Sequence, residues 1–415
     1  MLNVAQRWFG LRRDLGERYS PLYFLASLGN GGMAVAFFIY LNFMVPHPQT
    51  PIVTFDSIAA FLNGAGVVQS FLVFLGMAAI LFFAFRHLRL LFWNLREYAA
   101  FRRTPAYERM LNNNSAVATM ALPLTLGMTV NVLFATGAVF VPGLWNIVEY
   151  LFPFSLTALL LVGILALRIF MNYFGRMLMA GNFDYDKNNS FSQLQAAMAF
   201  SMVAVGLAAP AAMSGNKITI TVSILASMLF LGAAVLIGLP KMILGLRGML
   251  LNGLNLEAGA SLWIPIPILT LAGIALLRIS HGLHHGFGLH TTEPGMMFLL
   301  TGSILMLQLN FAVGGFIVLH KVGYFRTYLM GEGRSPASYA LICPGVALFV
   351  FGMFFLHVGL VQNGVVDKFS FGYYAVLAPL VAIQIVTIAS IFQLDSKLIR
   401  PEVAAAPAVD PVAAR

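Results

Sequence analysis

The chain has 415 residues, of which 60% are hydrophobic and 9% charged, with a mean hydropathy of +0.85. A soluble domain carries about 25% charged residues, so a water-soluble fold is excluded and the composition is that of a polytopic membrane protein. The net charge of +9 does not mark nucleic acid as a partner, because the basic residues are spread between apolar stretches, where they set membrane topology.

Residues 1–20 carry Arg7, Trp8, Phe9, Arg12, Arg13 and Arg18. They read as a cytoplasmic amphipathic segment beside the membrane, and no cleavable signal peptide is visible. Residues 21–394 read as a transmembrane domain of ten helices, each at or above the roughly 20 residues that a bilayer needs. The spans are expected at 21–46, 65–90, 114–141, 146–170, 190–214, 218–244, 258–280, 295–320, 336–361 and 370–394. Residues 395–415 become Ala/Pro/Val-rich from Pro401 and read as a cytoplasmic disordered tail.

A pattern repeats along these spans. Polar starts at Ser20, Ser115, Ser190, Ser261 and Ser335 recur at near-constant intervals after a longer first gap. Each opens an odd-numbered span that carries a bend signal. The signals are Gly29-Asn30-Gly31-Gly32, Pro123, Pro210, Pro265 with Pro267, and Cys343-Pro344-Gly345. A smoother helix follows each one. The expected fold is therefore all-α: five parallel hairpins, with the bent odd helices forming an inner pore ring and the even helices outside. Broken helices are tolerated in a bilayer only where they are buried in protein or line a cavity. The competing reading is a plain ten-helix bundle, since Pro and Gly are frequent in transmembrane helices anyway.

Of the 24 Lys and Arg, all but Lys217, Arg278 and Lys368 fall at the termini or toward the even-to-odd connections. The positive-inside rule makes that side cytoplasmic, with both termini inside.

Ten spans, five odd/even hairpins, the glycine-rich stretch Gly29 to Ala34 and proline-bent odd helices resemble the tellurite-resistance/dicarboxylate transporter family. That family includes TehA-type proteins and the plant slow anion channels. The resemblance runs from Ser20 to about Leu394. Within it, Gly31 to Pro51, with Phe43-Met44-Val45-Pro46-His47-Pro48, looks most like the TsoY-type (seleno)protein branch. The resemblance implies a homotrimer with one pore per protomer, passage of small anions, and no enzymatic activity. It is also compatible with a bacterial cytoplasmic (inner) membrane location. Some members of the family are C4-dicarboxylate–proton symporters.

The expected pore wall has no charged interior side chain, with Arg278 read at an outer exit. Its polar candidates include Asn30, Thr125, Asn131 and Gln195. The alternative for each is a bond to its own helix backbone. Gly31, Gly32, Pro123, Pro210 and Pro265 mark the bends. Phe37, Trp263 and Phe349 are aromatic candidates for a gate, although any of 36 Phe is more commonly packing. Cys343 is the only cysteine, which excludes an intrachain disulfide or a Cys-based cluster. Beside Pro344 and Gly345 it could line the pore and meet sulfur or selenium species; a buried inert thiol is the alternative.

His281, His284 and His285 could hold a metal, with His281 and His285 at helical i, i+4 spacing. Gly282, Gly286 and Gly288 favour a turn there instead, and with it a polar loop or a pH-sensitive mouth. His87 and His320 are placed like a haem pair, but their Arg and Lys neighbours read as an interfacial basic belt. The leading expectation is a channel or secondary transporter for small anions, such as oxyanions or reduced sulfur species, through an uncharged pore and without a cofactor. The alternatives are a C4-dicarboxylate–proton symporter and a redox or metal-handling protein built on Cys343 and the histidines.

Overall fold

Ten helices are long and apolar enough to cross a bilayer, and no strand occurs among the described residues. The chain is an integral membrane protein. The structure, a computed structural model, describes residues 10–181, 183, 184 and 188–401. Arg7, Trp8, Phe9, Lys187 and the tail from residue 402 lie outside the described residues.

The odd spans are Pro21–Met44 (span 1), Asn114–Phe140 (span 3), Ser192–Met213 (span 5), Gly259–Phe287 (span 7) and Pro336–Val361 (span 9). The even spans are Val67–Phe101 (span 2), Leu144–Met179 (span 4), Lys217–Asn252 (span 6), Pro294–Lys321 (span 8) and Phe371–Leu398 (span 10). Spans 2, 4 and 6 run to 35, 36 and 36 residues. A helix of that length rises about 52 Å and overshoots the roughly 30 Å hydrocarbon layer. Span 2 accordingly continues past its expected end at 90 to Phe101, with a second short helix at Pro105–Leu111.

Burial separates the two sets. The most apolar windows of the odd spans are 56% to 83% buried, against 17% to 33% for the even spans. Span 1 packs on span 3, span 3 on span 5, span 5 on span 7, span 7 on span 9, and span 9 back on span 1. Span 2 packs mainly on span 1, span 6 on span 5, and span 10 on span 9. The outward faces of the even spans are apolar, as at Phe71, Phe74, Phe154, Leu161, Leu225 and Leu236. Such faces suit lipid rather than water.

The Pro and Gly signals of the odd spans have different local roles. All five odd spans open with a 3₁₀ turn: Pro21–Tyr23, Asn114–Met120, Ser192–Leu194, Gly259–Trp263 and Pro336–Leu341. Ser20, Asn113 and Ser335 cap their turns by accepting a backbone N–H two residues on. Ser190 does the same toward Ser192, whereas Ser261 reaches across to the Phe191 N–H at 3.0 Å. Pro123, Pro265 and Pro344 sit where 3₁₀ passes into α-helix. A first helical turn has orphan N–H groups in any case, so proline is tolerated there without breaking the helix. The Gly29–Gly32 stretch does not interrupt its span; it lies inside one continuous helix, Phe24–Met44. Its glycines make room for neighbours instead. A Cβ on Gly29 would meet Ile342 of span 9, one on Gly31 would meet His87 and Met128, and one on Gly32 would meet Val346.

Span 5 is interrupted between helices Gln195–Leu207 and Ala209–Met213, and span 9 passes from α-helix into π-helix over Phe355–Val361. In span 5, Pro210 has no N–H to offer the carbonyl four residues back. Side chains from other spans bond to the backbone around this break. Ser223 of span 6 donates to the Leu207 carbonyl and accepts from the Ala211 N–H at 2.9 Å. Ser227 donates to the Ala204 carbonyl at 2.9 Å, and Arg278 of span 7 to the Val205 carbonyl at 2.7 Å.

Spans 1, 2, 9 and 10 are tied together by a polar cluster. Arg86 donates to Asn30 Oδ1 at 2.8 Å and forms an ion pair with Asp395. Tyr339 donates to the other Asp395 oxygen at 2.9 Å. His87 is fully buried between spans 1 and 3, with Nδ1 2.8 Å from the Ser27 carbonyl and Nε2 2.9 Å from Thr129. It is not part of an interfacial belt, and Gly31 provides its socket. Residues before span 1 join this assembly: the carboxylate of Glu97 accepts from the Asp14 and Leu15 N–H groups, and Tyr19 donates to Asn94.

Candidate functional site in the axial cavity

A cavity of about 810 Å³ lies among the odd spans, and all five of them line it. Its rim is made by His47, Pro48, His281, Gln362 and Lys368, at the ends reached by the odd-to-even connections. A second, small cavity of about 30 Å³ lies toward the 3₁₀ turns, bordered by Ser192, Gln195, Ala258 and Ala337. The two cavities share three lining residues, Met198, Pro267 and Cys343, one from each of spans 5, 7 and 9. These three residues, the neck, stand where the wide chamber adjoins the narrow one.

The neck shows what the Cys343-Pro344-Gly345 sequence does. Cys343 is partly buried and faces both cavities. Gly345, two residues on, turns the other way and gives Thr387 of span 10 its place. Pro344 lies between them in the first helical turn and does not border either cavity.

The other sequence candidates divide. Gly32, Asn131 and Pro210 border the large cavity, and Gln195 the small one. Buried Gln195 Nε2 has no hydrogen-bond partner among the described residues. Asn131 donates to the Gly127 carbonyl at 3.1 Å, leaving its oxygen uncommitted by that bond. Asn30, Gly31, Phe37, Pro123, Thr125, Trp263, Pro265 and Phe349 are not among the lining residues of either cavity. Asn30 holds Arg86 and the Ala26 carbonyl. Thr125 donates to the Ala121 and Phe24 carbonyls. Phe37 stacks on Phe83 of span 2, with ring centroids 5.8 Å apart. Trp263 donates to the Ala312 carbonyl of span 8 at 3.1 Å. Phe349 packs on Tyr40, with centroids 4.9 Å apart.

Sequence reasoning missed the charge in the chamber. Span 7 continues past the expected end at 280 to Phe287 and stops at Gly288, whose φ of +71° is the left-handed conformation of a helix C′ position. Arg278 is therefore not at an exit. It lies nine residues inside the helix end, about 13 Å along the axis, and lines the cavity. The Gly288 terminator was the signal that could have placed it. The expectation that the odd helices carry no interior charge does not hold.

The Arg278 guanidinium is anchored by one bond to the Val205 carbonyl, at 2.7 Å. It has no carboxylate partner among the described residues. The second cation of the lining, Lys368, is exposed on the rim. Partial desolvation there lowers its ammonium pKa from the ordinary value. The remaining ionisable lining residues are His47, His281, His357 and Cys343, with no Asp or Glu. His357 is committed: Nδ1 donates to the Met353 carbonyl at 2.9 Å, Nε2 accepts from Tyr373 at 3.0 Å, and the ring stacks on Phe43.

The histidine cluster lies on helix rather than in a turn. Gly282 and Gly286 face Ala211 and Ile220, where a larger side chain would collide. His281 Nδ1 lies 2.8 Å from the Leu277 carbonyl and His285 Nδ1 2.6 Å from the His281 carbonyl. His285 Nε2 is 3.0 Å from the Ser214 carbonyl, and His284 Nδ1 3.0 Å from that of Leu289. Among the described residues no three His, Cys, Asp or Glu side chains converge as metal ligands. His281 stands 14 residues beyond the neck residue Pro267, about 21 Å along the helix, so Cys343 and the histidines do not form one site.

No protein-family model, curated protein or solved structure matches this chain, so its functional reading rests on its own residues.

Proposed function

We propose that this protein is a transmembrane conduit for small anions, with the odd spans as a pore ring and the even spans as its lipid-facing shell. The observation that carries the reading is the chamber itself. It borders all five odd spans, holds Arg278 at depth and Lys368 at its rim, and has no carboxylate in its lining. A cavity with charge of one sign and low-dielectric walls concentrates the opposite ion. Cationic side chains are a recurring means of anion selection in pores. A charge held at bilayer depth is expensive and marks function by default.

The path would run from the rim past Arg278 to the neck of Met198, Pro267 and Cys343, then to the small cavity at Gln195. The cyclic packing of the odd spans supports the resemblance to the tellurite-resistance/dicarboxylate transporter family. Arg278 also favours a second reading, C4-dicarboxylate–proton symport, because it supplies an arginine for one carboxylate. The other carboxylate would find only Lys368, out on the rim. The redox or metal-handling reading gains no comparable support, since Cys343 and the histidines are far apart.

Purified protein in liposomes, assayed with chloride, nitrate, sulfite, thiosulfate and malate, tests the proposal. Flux of at least one inorganic anion is expected. Absence of flux for all five, with folded protein verified, would remove the reading, and malate flux alone would favour symport.

A further inference from the structure

We infer that Arg278 is the carboxylate-binding residue of a site for an organic monoacid with an apolar body, seated in the large cavity. The inference rests on the reading of that cavity as the anion path and names a substrate class for it.

Three observations lead to it. First, Arg278 is held but not consumed. One guanidinium nitrogen, Nη1, is fixed on the Val205 carbonyl at 2.7 Å. Nε and Nη2 have no acceptor among the described residues. Those two nitrogens form one edge of the planar fork, and such an edge matches a carboxylate with two parallel hydrogen bonds. The anchor on a broken stretch of span 5 fixes the direction of the fork before a ligand arrives.

Second, the cavity is far larger than a simple anion. About 810 Å³ falls in the range of about 300–1,000 Å³ that encloses organic ligands. A halide on Arg278 would touch little of the wall.

Third, most of the cavity wall is apolar. Val35, Ile39, Leu271, Ile274, Val346 and Val350 all line it. The polar groups among them each hold at least one bond within the protein. Thr270 donates to the Ala347 carbonyl at 3.1 Å, Asn131 to its own helix, and Asn42 Oδ1 accepts from the Val53 N–H at 3.0 Å. A second carboxylate placed at this depth would meet no second cation, because Lys368 is exposed at the rim. An alkyl or aryl body fits where a second charge does not.

The test measures binding to the full chain in nanodiscs of zwitterionic lipid, with empty nanodiscs as the partition control. Acetate, butyrate, hexanoate and octanoate form the series. Affinity is expected to rise about fourfold per methylene, as each buries in the apolar wall. Octanol and octylammonium should bind at least tenfold more weakly than octanoate. Arg278→Gln should lose at least tenfold, with Arg278→Lys in between. A flat chain-length series, octanol equal to octanoate, or succinate tighter than octanoate would overturn the inference on the unaltered protein, whatever the variants do. Inorganic-anion flux without octanoate binding would remove this inference alone. Octanoate binding without any anion flux would leave the site and remove the conduit.

Discussion

Arg86 and Arg278 both place a guanidinium inside the helix bundle, and they are handled in opposite ways. Arg86 has Asn30 and Asp395 as partners and lies against the Phe392 ring, 4.9 Å from its centroid. Asp395 in turn accepts from Tyr339. Arg278 has one backbone carbonyl and otherwise faces open space. The first arrangement closes on itself and joins the first two spans to the last two. The second leaves donors over. Counting partners therefore separates a charge that holds the protein together from one that awaits a ligand, although both are single arginines in apolar helices.

The comparison breaks if the two sites respond alike to mutation. Asp395→Ala leaves Arg86 unpaired within the bundle. Breaking a buried pair from one side costs about 3–5 kcal/mol, so denaturant or thermal unfolding in detergent should show a loss of that size. Flux per folded protein should stay near that of the parent. Ser223→Ala is the next largest effect. It strips the Leu207 carbonyl and Ala211 N–H of their partner at the span 5 break, at a cost of about 1–3 kcal/mol, read by the same unfolding assay.

Arg278→Gln should reverse the Asp395 pattern. Stability should change little more than the loss of one hydrogen bond to a charged donor, about 1.5–3 kcal/mol at most. Anion flux should fall at least tenfold, equivalent to about 1.4 kcal/mol. The smallest effect belongs to Lys368→Gln at the rim. An exposed charge acts through long-range attraction, so its removal should lower flux a few-fold in dilute salt and hardly at all near 1 M, where the Debye length is about 3 Å. A pH titration sharpens the assignment. Desolvation lowers the Lys368 ammonium pKa, so the charge is present below that pKa and is lost as pH rises through it, earlier than for a free lysine. Low-salt flux should decline on the alkaline side in the parent, and that limb should be absent in Lys368→Gln.

The sequence made the spans legible because twenty-residue apolar runs have few alternatives in water or lipid. The inner position of the odd set was expected from their Pro and Gly signals, and the greater burial of these spans agrees with it. The local roles of those signals were not legible. A proline signals a missing N–H but not whether that group was an orphan already. At Pro123, Pro265 and Pro344 it falls at a helix start. Pro210 alone among the bend prolines coincides with an interruption, and the Ser223 and Arg278 bonds that accommodate it come from helices distant in sequence. Gly31 is a socket for His87, which nothing local reveals.

Arg278 was hidden for a related reason. Gly282 and Gly286 resemble turn residues when read along the chain. In space they let span 7 approach Ala211 and Ile220, and the helix carries Arg278 into the bundle instead of ending beside it. Cys343 was legible as a candidate from its position alone. That it faces the neck while Gly345 faces span 10 depends on side-chain direction, which follows from the helix phase after the 3₁₀ turn.

The most direct measurement is nitrate flux through proteoliposomes containing equal amounts of folded parent, Arg278→Gln and Asp395→Ala protein. The account predicts flux in the parent, comparable flux in Asp395→Ala wherever that protein remains folded, and at least a tenfold loss in Arg278→Gln. Equal flux through the parent and Arg278→Gln would contradict the central claim, and so would a folded parent that passes no nitrate, chloride, sulfite or thiosulfate.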